Sequence, residues 1–306
     1  MSSELFINQD SYGQNAQFKW NRLASDFPHL RPIFLPPSEL TQRMRQHIQS
    51  NNDLYIGGGD GTLHHVINSV LQGDADFRRV RLGVLGLGSS CSFLKSVATK
   101  RSYDIPVIAD PSAESRIDLG KVFFKEKDGR QETKFFAANG SIGFLALGNL
   151  LFNQPGGLTQ KLKRLSTEAA NNYIFAKTLF KYSAAPVSVD GGVQKKYLNI
   201  QFLKAKHYTG DFFFERKNSP QSGLLDFHLF DDHGSLHTLN VFLQLTMKNE
   251  YPSPTHIEFK GKSMTIKAAQ EIPLELDGEI YYGKEFIIEC VPQKLNVMTH
   301  LSGVSA

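Results

Sequence analysis

At 306 residues the chain is long for one compact core and suits two domains of ordinary size. Hydrophobic residues make up 41% and charged residues 21%, which excludes a disordered or fibrous chain. A formal charge of +4 calls for no nucleic-acid partner, and no stretch approaches the roughly 20 apolar residues of a membrane span. The two cysteines, Cys91 and Cys290, lie far apart and fit reduced thiols rather than a disulfide frame. The opening MSSELFINQD lacks the basic start and apolar middle of a secretory signal, so a cytoplasmic protein is expected. Charge is uneven in one place. Between Leu151 and Tyr182 five bases (Lys161, Lys163, Arg164, Lys177, Lys181) face one acid (Glu168). That is a solvated helix face, or an attraction to an anionic membrane if the substrate is a lipid.

The first third alternates strands and helices. Leu5–Asn8 reads as a buried strand, followed by a helix from Gln14 to Ala24 and a strand at Ile33–Leu35. Ser38 is placed to cap a helix running through Ile48. Leu54–Ile56 is a third strand, and Thr62–Leu71 carries apolar residues at 63, 66, 67, 70 and 71, one face of a helix. Arg81–Leu87 is a fourth strand. This order predicts a parallel, helix-covered sheet. From about Ile117 short β-type runs take over, at 121–124, 134–138, 197–203, 212–215, 224–230, 256–259, 263–267, 273–276, 286–291 and 295–298. Turns such as Asp190-Gly191-Gly192 and Asn218-Ser219-Pro220 punctuate them, and one basic helix over 158–182 interrupts them. The expected organisation is an α/β nucleotide-binding domain over 1–111 and a β-rich acceptor domain over 112–306. The C-terminal tail is free to pack back on the first domain.

Most of the chemical information lies in Leu54-Tyr-Ile-Gly-Gly-Gly-Asp-Gly-Thr-Leu63. Gly58, Gly59, Gly61 and Thr62 stand between a strand and a helix, where glycine lets backbone amides approach an anion. The helix start adds unpaired N–H groups and a partial positive charge. Asp60 repels phosphate, so its expected work is to hold Mg²⁺ or to accept a proton. The loop is neither a Walker A nor a Rossmann fingerprint. His64 and His65 follow it, but adjacent helical residues diverge by about 100° and share no metal. His64 alone is within reach of a phosphate.

These residues resemble the diacylglycerol kinase catalytic-domain family, whose GGDGT signature is similar to Gly58-Gly59-Asp60-Gly61-Thr62. More distant relatives of that family are NAD kinases and phosphofructokinases. Phe6-Ile7-Asn8 with Ser11 and Gly13 resembles the family's first strand and Asn-Pro-x-Ser-Gly turn, with Gln9 at the usual proline. Arg116-Ile-Asp118-Leu-Gly120, the stretch 135–146, Ser222-Gly-Leu-Leu-Asp226 and Leu276-Asp277-Gly278-Glu279 are similar to four later motifs, in the same order. The resemblance implies a lipid kinase with an NAD kinase/diacylglycerol kinase-like fold. It would use ATP and Mg²⁺ to phosphorylate a diacylglycerol-like or sphingoid hydroxyl. Asn8, Ser11, Gly58, Gly59, Gly61, Thr62, Gly88 and Ser89 would hold the nucleotide, and Asp60 and Asp118 the metal. Asp60, Asp277 and Glu279 would carry catalysis. The expected partner is a lipid at a membrane surface, touched peripherally from the cytoplasm, and a homodimer is compatible with this reading. Leu145–Phe152 and the helix after it are the expected rim of an acyl slot.

The chain also departs from the family. Gly88-Ser89-Ser90-Cys91-Ser92-Phe93 stands where the family has Gly-Thr-Gly-Asn-Asp-Phe, so one expected acid is missing. Gly86 replaces the usual proline, and Ser222 replaces an acid that often ligates a structural metal. Two alternatives therefore stay open: a catalytically impaired nucleotide- or lipid-binding protein, and an NAD kinase-like enzyme with a soluble acceptor.

Overall fold

Alternation along the first strand shows how the N-terminal sheet is covered on both sides. In the computed structural model β1 (Ser3–Asn8) sends Leu5 and Ile7 to one apolar cluster and Phe6 to another. The structure describes residues 2–11, 15–72, 79–98, 100–126, 128–154, 158–159, 162, 166–205, 207–209, 212–213, 219–246 and 255–301. Helix α1 (Ala16–Leu23) covers the Leu5 side with Trp20 and Leu23. Helix α2 (Pro37–Ser50) covers the Phe6 side with Leu40, Met44 and Ile48, at the i, i+4, i+8 spacing of one helix face. Strands β2 (Leu30–Leu35), β3 (Asp53–Gly58) and β4 (Arg81–Gly86) complete a parallel group in the order β2-β1-β3-β4. Being buried on both faces, β3 and β4 read as nearly continuous apolar runs. Ser38 is not the cap expected of it. Pro36 occupies the N-cap and Pro37 the first turn, where a fixed φ suits the helix and the missing N–H is not needed.

After β3 the chain enters α3 (Asp60–His65), which runs on through Leu71 as a wider π-turn in which Gln72 N–H donates to Ile67 O at 3.0 Å. After β4 comes the short helix α4 (Ser92–Val97), then the hairpin β5 (Lys100–Ser102) and β6 (Ile105–Ile108), none of which has a strong sequence signal.

The rest is antiparallel. It comprises β7 (Ser115–Lys125), β8 (Gln131–Phe136), β9 (Asn139–Gly143), β10 (Pro186–Val189), β11 (Lys195–Leu203), the small pair β12 (His207–Thr209) and β13 (Phe212–Phe213), β14 (Leu225–Asp231), β15 (His256–Gly261), β16 (Ser263–Leu276) and β17 (Glu279–Val297). Phe124, Phe136, Phe202, Phe227 and Phe286 fill its interior, so the abundant phenylalanine is mainly core. The runs expected at 263–267 and 273–276 are one strand, as are 286–291 and 295–298, each bridged by a register irregularity. At its far end β17 pairs in parallel with β4 through Asn296 and Val297, so a single mixed sheet of 15 strands joins both halves among the described residues.

Helix α5 (Phe144–Asn153) follows β9, and α6 (Thr167–Lys181) starts at Ser166, whose hydroxyl accepts Ala169 N–H at 3.2 Å. Helix α7 (Ser235–Thr246) has no counterpart in the sequence reading. Gly13, Gln14, Lys161, Lys163, Arg164, Phe214, Glu215 and Asn218 lie outside the described residues.

Candidate phosphate-binding crevice

The order β2-β1-β3-β4 reverses direction between β1 and β3, and open α/β sheets bind ligands at the carboxyl ends of strands beside such a point. The sequence places its polar residues there. Asn8, at the end of β1, donates from Nδ2 to Thr62 Oγ1 at 3.1 Å, and Ser11 Oγ lies 3.3 Å from the same oxygen. Asn8 is itself held by Asp10 N–H, which donates to Oδ1 at 3.0 Å. Asn8, Ser11 and Thr62 thus meet in one cluster on the first turn of α3.

The glycines around them are fixed by crowding. A Cβ on Gly58 would lie 2.4 Å from Thr62 Oγ1, and one on Gly88 would lie 2.3 Å from Gly59 Cα. The loops after β3 and β4 therefore pack backbone against backbone, and Lys19 Nζ fastens the second by donating to Gly88 O. Gly61 is different. Among the described residues the only neighbour a Cβ there would meet is Glu279 Oε1 at 3.4 Å, so an exposed carboxylate from the start of β17 stands over an open part of the loop. Ser89 is exposed at the tip of the second loop.

Asp60 does not cap its own helix, whose N-cap position is Gly59. Its carboxylate reaches across to α4 and accepts Ser92 N–H at 2.8 Å and Phe93 N–H at 3.1 Å. Burial pushes its carboxyl above the usual range, against the pull of these two amides. Cys91, just before α4, takes a left-handed conformation at φ 51° that asparagine adopts more readily. Burial drives its thiol up to about 11.

Asp277 is bound on every side. Its Oδ2 accepts Ala137 N–H at 2.9 Å, and its Oδ1 accepts Ala138 N–H at 2.8 Å and Asn139 N–H at 3.1 Å. His64 Nδ1 lies 3.2 Å from Oδ2, while Nε2 lies 2.8 Å from the Tyr281 hydroxyl. His64 is thus a buried strut between α3 and the Asp277 turn. His65 turns away to Thr41 and Ser69, so the two histidines diverge.

Three contributors escape sequence reasoning. Asn68 exchanges hydrogen bonds with Phe135, accepting its N–H at 2.7 Å and donating to its carbonyl at 2.9 Å. Glu275 is wholly buried, accepting Gly278 N–H at 2.6 Å and Ser141 O–H at 2.8 Å, and burial pushes it up to about 8. Lys204 binds Asp118 at 2.6 Å. A lone amide in a helix pattern, an acid in a strand and a base at a strand end carry no sequence signal. Phe135, Ser141 and Asp118, the partners that matter here, are 67, 134 and 86 residues away.

Among the described residues the four sequence-selected acids do not gather into one ligand cluster. Asp60 keeps acceptor positions beyond the two amides, and with Glu279 above Gly61 it offers the hard oxygen donors that Mg²⁺ takes. Asp118 does not fit a metal: its oxygens already receive Lys204 Nζ and the N–H groups of Gly223 and Gln293. The cluster His228, His256 and Glu258 does have ligand atoms within 4.8 Å. Its histidine rings lie 11° from coplanar with centroids 5.1 Å apart and nitrogens 2.9 Å apart. At so short a nitrogen contact that centroid distance requires the nitrogens to point straight at each other. This is an N–H···N bond, whereas chelation needs lone pairs that converge.

A glycine-rich turn at a sheet reversal, with carboxylates beside it, is an arrangement suited to holding phosphate. Residues 4–122 match the family model described as the diacylglycerol kinase catalytic domain. Over 245 residues it is 25% identical to the Escherichia coli O1:K1 protein named Probable lipid kinase YegS, covering 78% of this chain and 75% of that one. The protein of that name from Shigella flexneri is similar to the same extent. A crystal structure of a diacylglycerol kinase from Bacillus anthracis str. Sterne has the same fold, with a TM-score of 0.65 at 15% identity over 98% of this chain and 97% of that one. The chain is thus similar in sequence to proteins named as lipid kinases, and its fold is that of the Bacillus anthracis structure. Among the described residues no helix is long and apolar enough to cross a membrane.

Proposed function

We propose that this chain transfers the terminal phosphoryl group of ATP to the hydroxyl of a diacylglycerol-like or sphingoid lipid. The observation that carries the reading is Glu279 Oε1 standing over Gly61, which puts an exposed base beside the phosphate loop. Asn8, Ser11, Gly58, Gly59, Gly61, Thr62, Gly88 and Ser89 line the side that takes the nucleotide, with the amides at the start of α3 turned to its phosphates. Asp60 would hold Mg²⁺, which when bound neutralises charge on the phosphates. Glu279 accepts the proton of the lipid hydroxyl. Asp277, saturated by three amides and His64, is a positioning residue that fixes the turn from which Glu279 projects.

The lipid reading draws on α5, whose Leu145, Leu147, Leu150 and Phe152 are half-buried and whose Asn153 Nδ2 donates to Gly278 O at 3.1 Å beside the site. Leu236, Leu239 and Leu243 form an exposed stripe on one face of α7, and Phe180 is exposed on α6 near Lys177 and Lys181. In this reading they meet the membrane from the cytoplasmic side, apolar groups inserting and bases facing anionic headgroups.

Radiolabelled ATP and Mg²⁺ are supplied with vesicles containing diacylglycerol or a sphingoid base, and separately with NAD. Label is expected in lipid, falling roughly 10²–10⁴-fold in Glu279→Gln with nucleotide affinity unchanged. Ser92, standing where the family has an acid, supports a second reading, a binding protein without transfer. ATP binding with no labelled lipid would establish that second reading, and absence of nucleotide affinity would end both.

A further inference from the structure

Around Asp118 the chain builds a cage for a cation and fills it itself. Asp118 Oδ2 accepts Lys204 Nζ at 2.6 Å, and the same ammonium donates to Leu224 O at 3.0 Å and Ser222 Oγ at 3.2 Å. Asp118 also accepts Gly223 N–H at 2.7 Å through Oδ2 and Gln293 N–H at 3.0 Å through Oδ1. The Lys204 and Asp118 side chains are only 2% and 0% exposed. One ammonium has three donors, and three oxygens from two separate segments receive them.

We infer that Lys204 is a built-in cation, fastening the 219–224 turn to β7 and leaving this part of the fold independent of divalent metal. The inference does not rest on the kinase reading. Carboxylate, hydroxyl and carbonyl are the hard oxygens a divalent ion would take, so the cage chemistry alone leaves the occupant open. Charge decides it. Asp118 contributes one negative charge and Ser222 none, which a single ammonium balances. A carboxylate at position 222 would raise the charge to two, suiting a divalent ion. A metal added to the present cage would sit against the ammonium and compete for a carboxylate that already has three donors. The turn needs such a fastening because Ser222 is exposed and Gly223 is held at φ +69°. Two further bonds support it, Asp118 N–H to Pro220 O at 2.9 Å and Gln221 Nε2 to Arg116 O at 2.7 Å.

Thermal unfolding of the nucleotide-free full chain tests this, in EDTA and in Ca²⁺ or Mg²⁺. The wild type is expected to show no metal response that Asp118→Asn abolishes. Lys204→Met should lower the midpoint in EDTA by roughly 5–10 °C, because a buried carboxylate loses its counter-charge. Lys204→Met/Ser222→Asp should be equally weak in EDTA and regain most of the loss saturably in Ca²⁺ or Mg²⁺. A wild type that loses several degrees in EDTA only while Asp118 is intact would overturn the inference, as would a Lys204→Met protein as stable as the wild type. Should Lys204→Met fail to fold, the double variant decides by circular dichroism: folding on addition of metal supports a cation cage, and no response to either metal refutes it.

Discussion

Replacing Glu275 by glutamine should make the protein less sensitive to rising pH. Burial, with smaller contributions from the charges of Asp277 and Asp60, moves this carboxyl from its ordinary 4.5 to about 8, although Gly278 N–H and Ser141 O–H pull the other way. Between those values the folded protein keeps a proton that the unfolded chain has released. The stability linked to this group is therefore complete below pH 4.5, declines through the window and levels off above pH 8. The interval from 4.5 to about 8, at about 1.36 kcal/mol per pH unit, sets the full loss near ~5 kcal/mol. About half of it, ~2–3 kcal/mol, falls between pH 5 and pH 7. Glutamine keeps the size and an acceptor for Gly278 N–H but does not titrate. Any weaker bond to Ser141 costs about 1 kcal/mol at every pH. Urea unfolding of both proteins across this range should show the variant gaining on the wild type by ~2–3 kcal/mol from pH 5 to pH 7, and thermal unfolding a gain of about 5 °C in midpoint. Parallel stability curves would refute the assignment of a buried, protonated Glu275.

Three further outcomes follow from the same geometry. Gly88→Ala puts a methyl 2.3 Å from Gly59 Cα and 2.7 Å from Gly59 N. Since backbone cannot yield as a side chain can, a loss of about 3 kcal/mol or more in denaturant titration and weakened binding of a fluorescent nucleotide are expected. Asp277→Asn leaves amides that had shared two carboxylate oxygens with one, and should cost about 3–5 kcal/mol. Its specific activity per folded molecule should fall far less than that of Glu279→Gln, and an equal fall would make Asp277 a direct participant. Cys91, with its thiol near 11, should resist a disulfide reagent at pH 8 in the native protein and react at once in denaturant, as thiolate content and access both require.

The legible parts of the site were those whose signal is local. Gly58 to Thr62 announces a strand, a tight turn and a helix start within five residues, and the structure brings Asn8 and Ser11 to Thr62. What stayed hidden depends on partners far along the chain. Nothing near Asp277 shows that the amides of 137–139 will consume its lone pairs, 138 to 140 residues away. Asp118 is expected to hold metal until Lys204 arrives from just beyond β11. The strands at 263–276 and 279–297 looked broken because the irregularities at Lys267/Ile272 and Val291/Leu295 interrupt the alternation on which strand reading depends. Helix α7 went unread although Leu236, Leu239 and Leu243 have helical spacing, because the surrounding β-type runs set the expectation.

The 19-residue strand β17 has a consequence for how the molecule is made. Its residues Asn296 and Val297 lie against Arg81 and Leu82, and Leu295 and Val297 join the same apolar cluster as Phe6 and Leu54. On the ribosome β6 can cover Val84 and Leu85 early, but Arg81 and Leu82 wait for the far end of β17. Until then that short end of β4 stays open to pairing with other strands. The first sheet is thereby tied to a strand whose other end carries Glu279 beside Gly61, so loss of β17 would remove both the cover of this β4 end and the carboxylate over the loop.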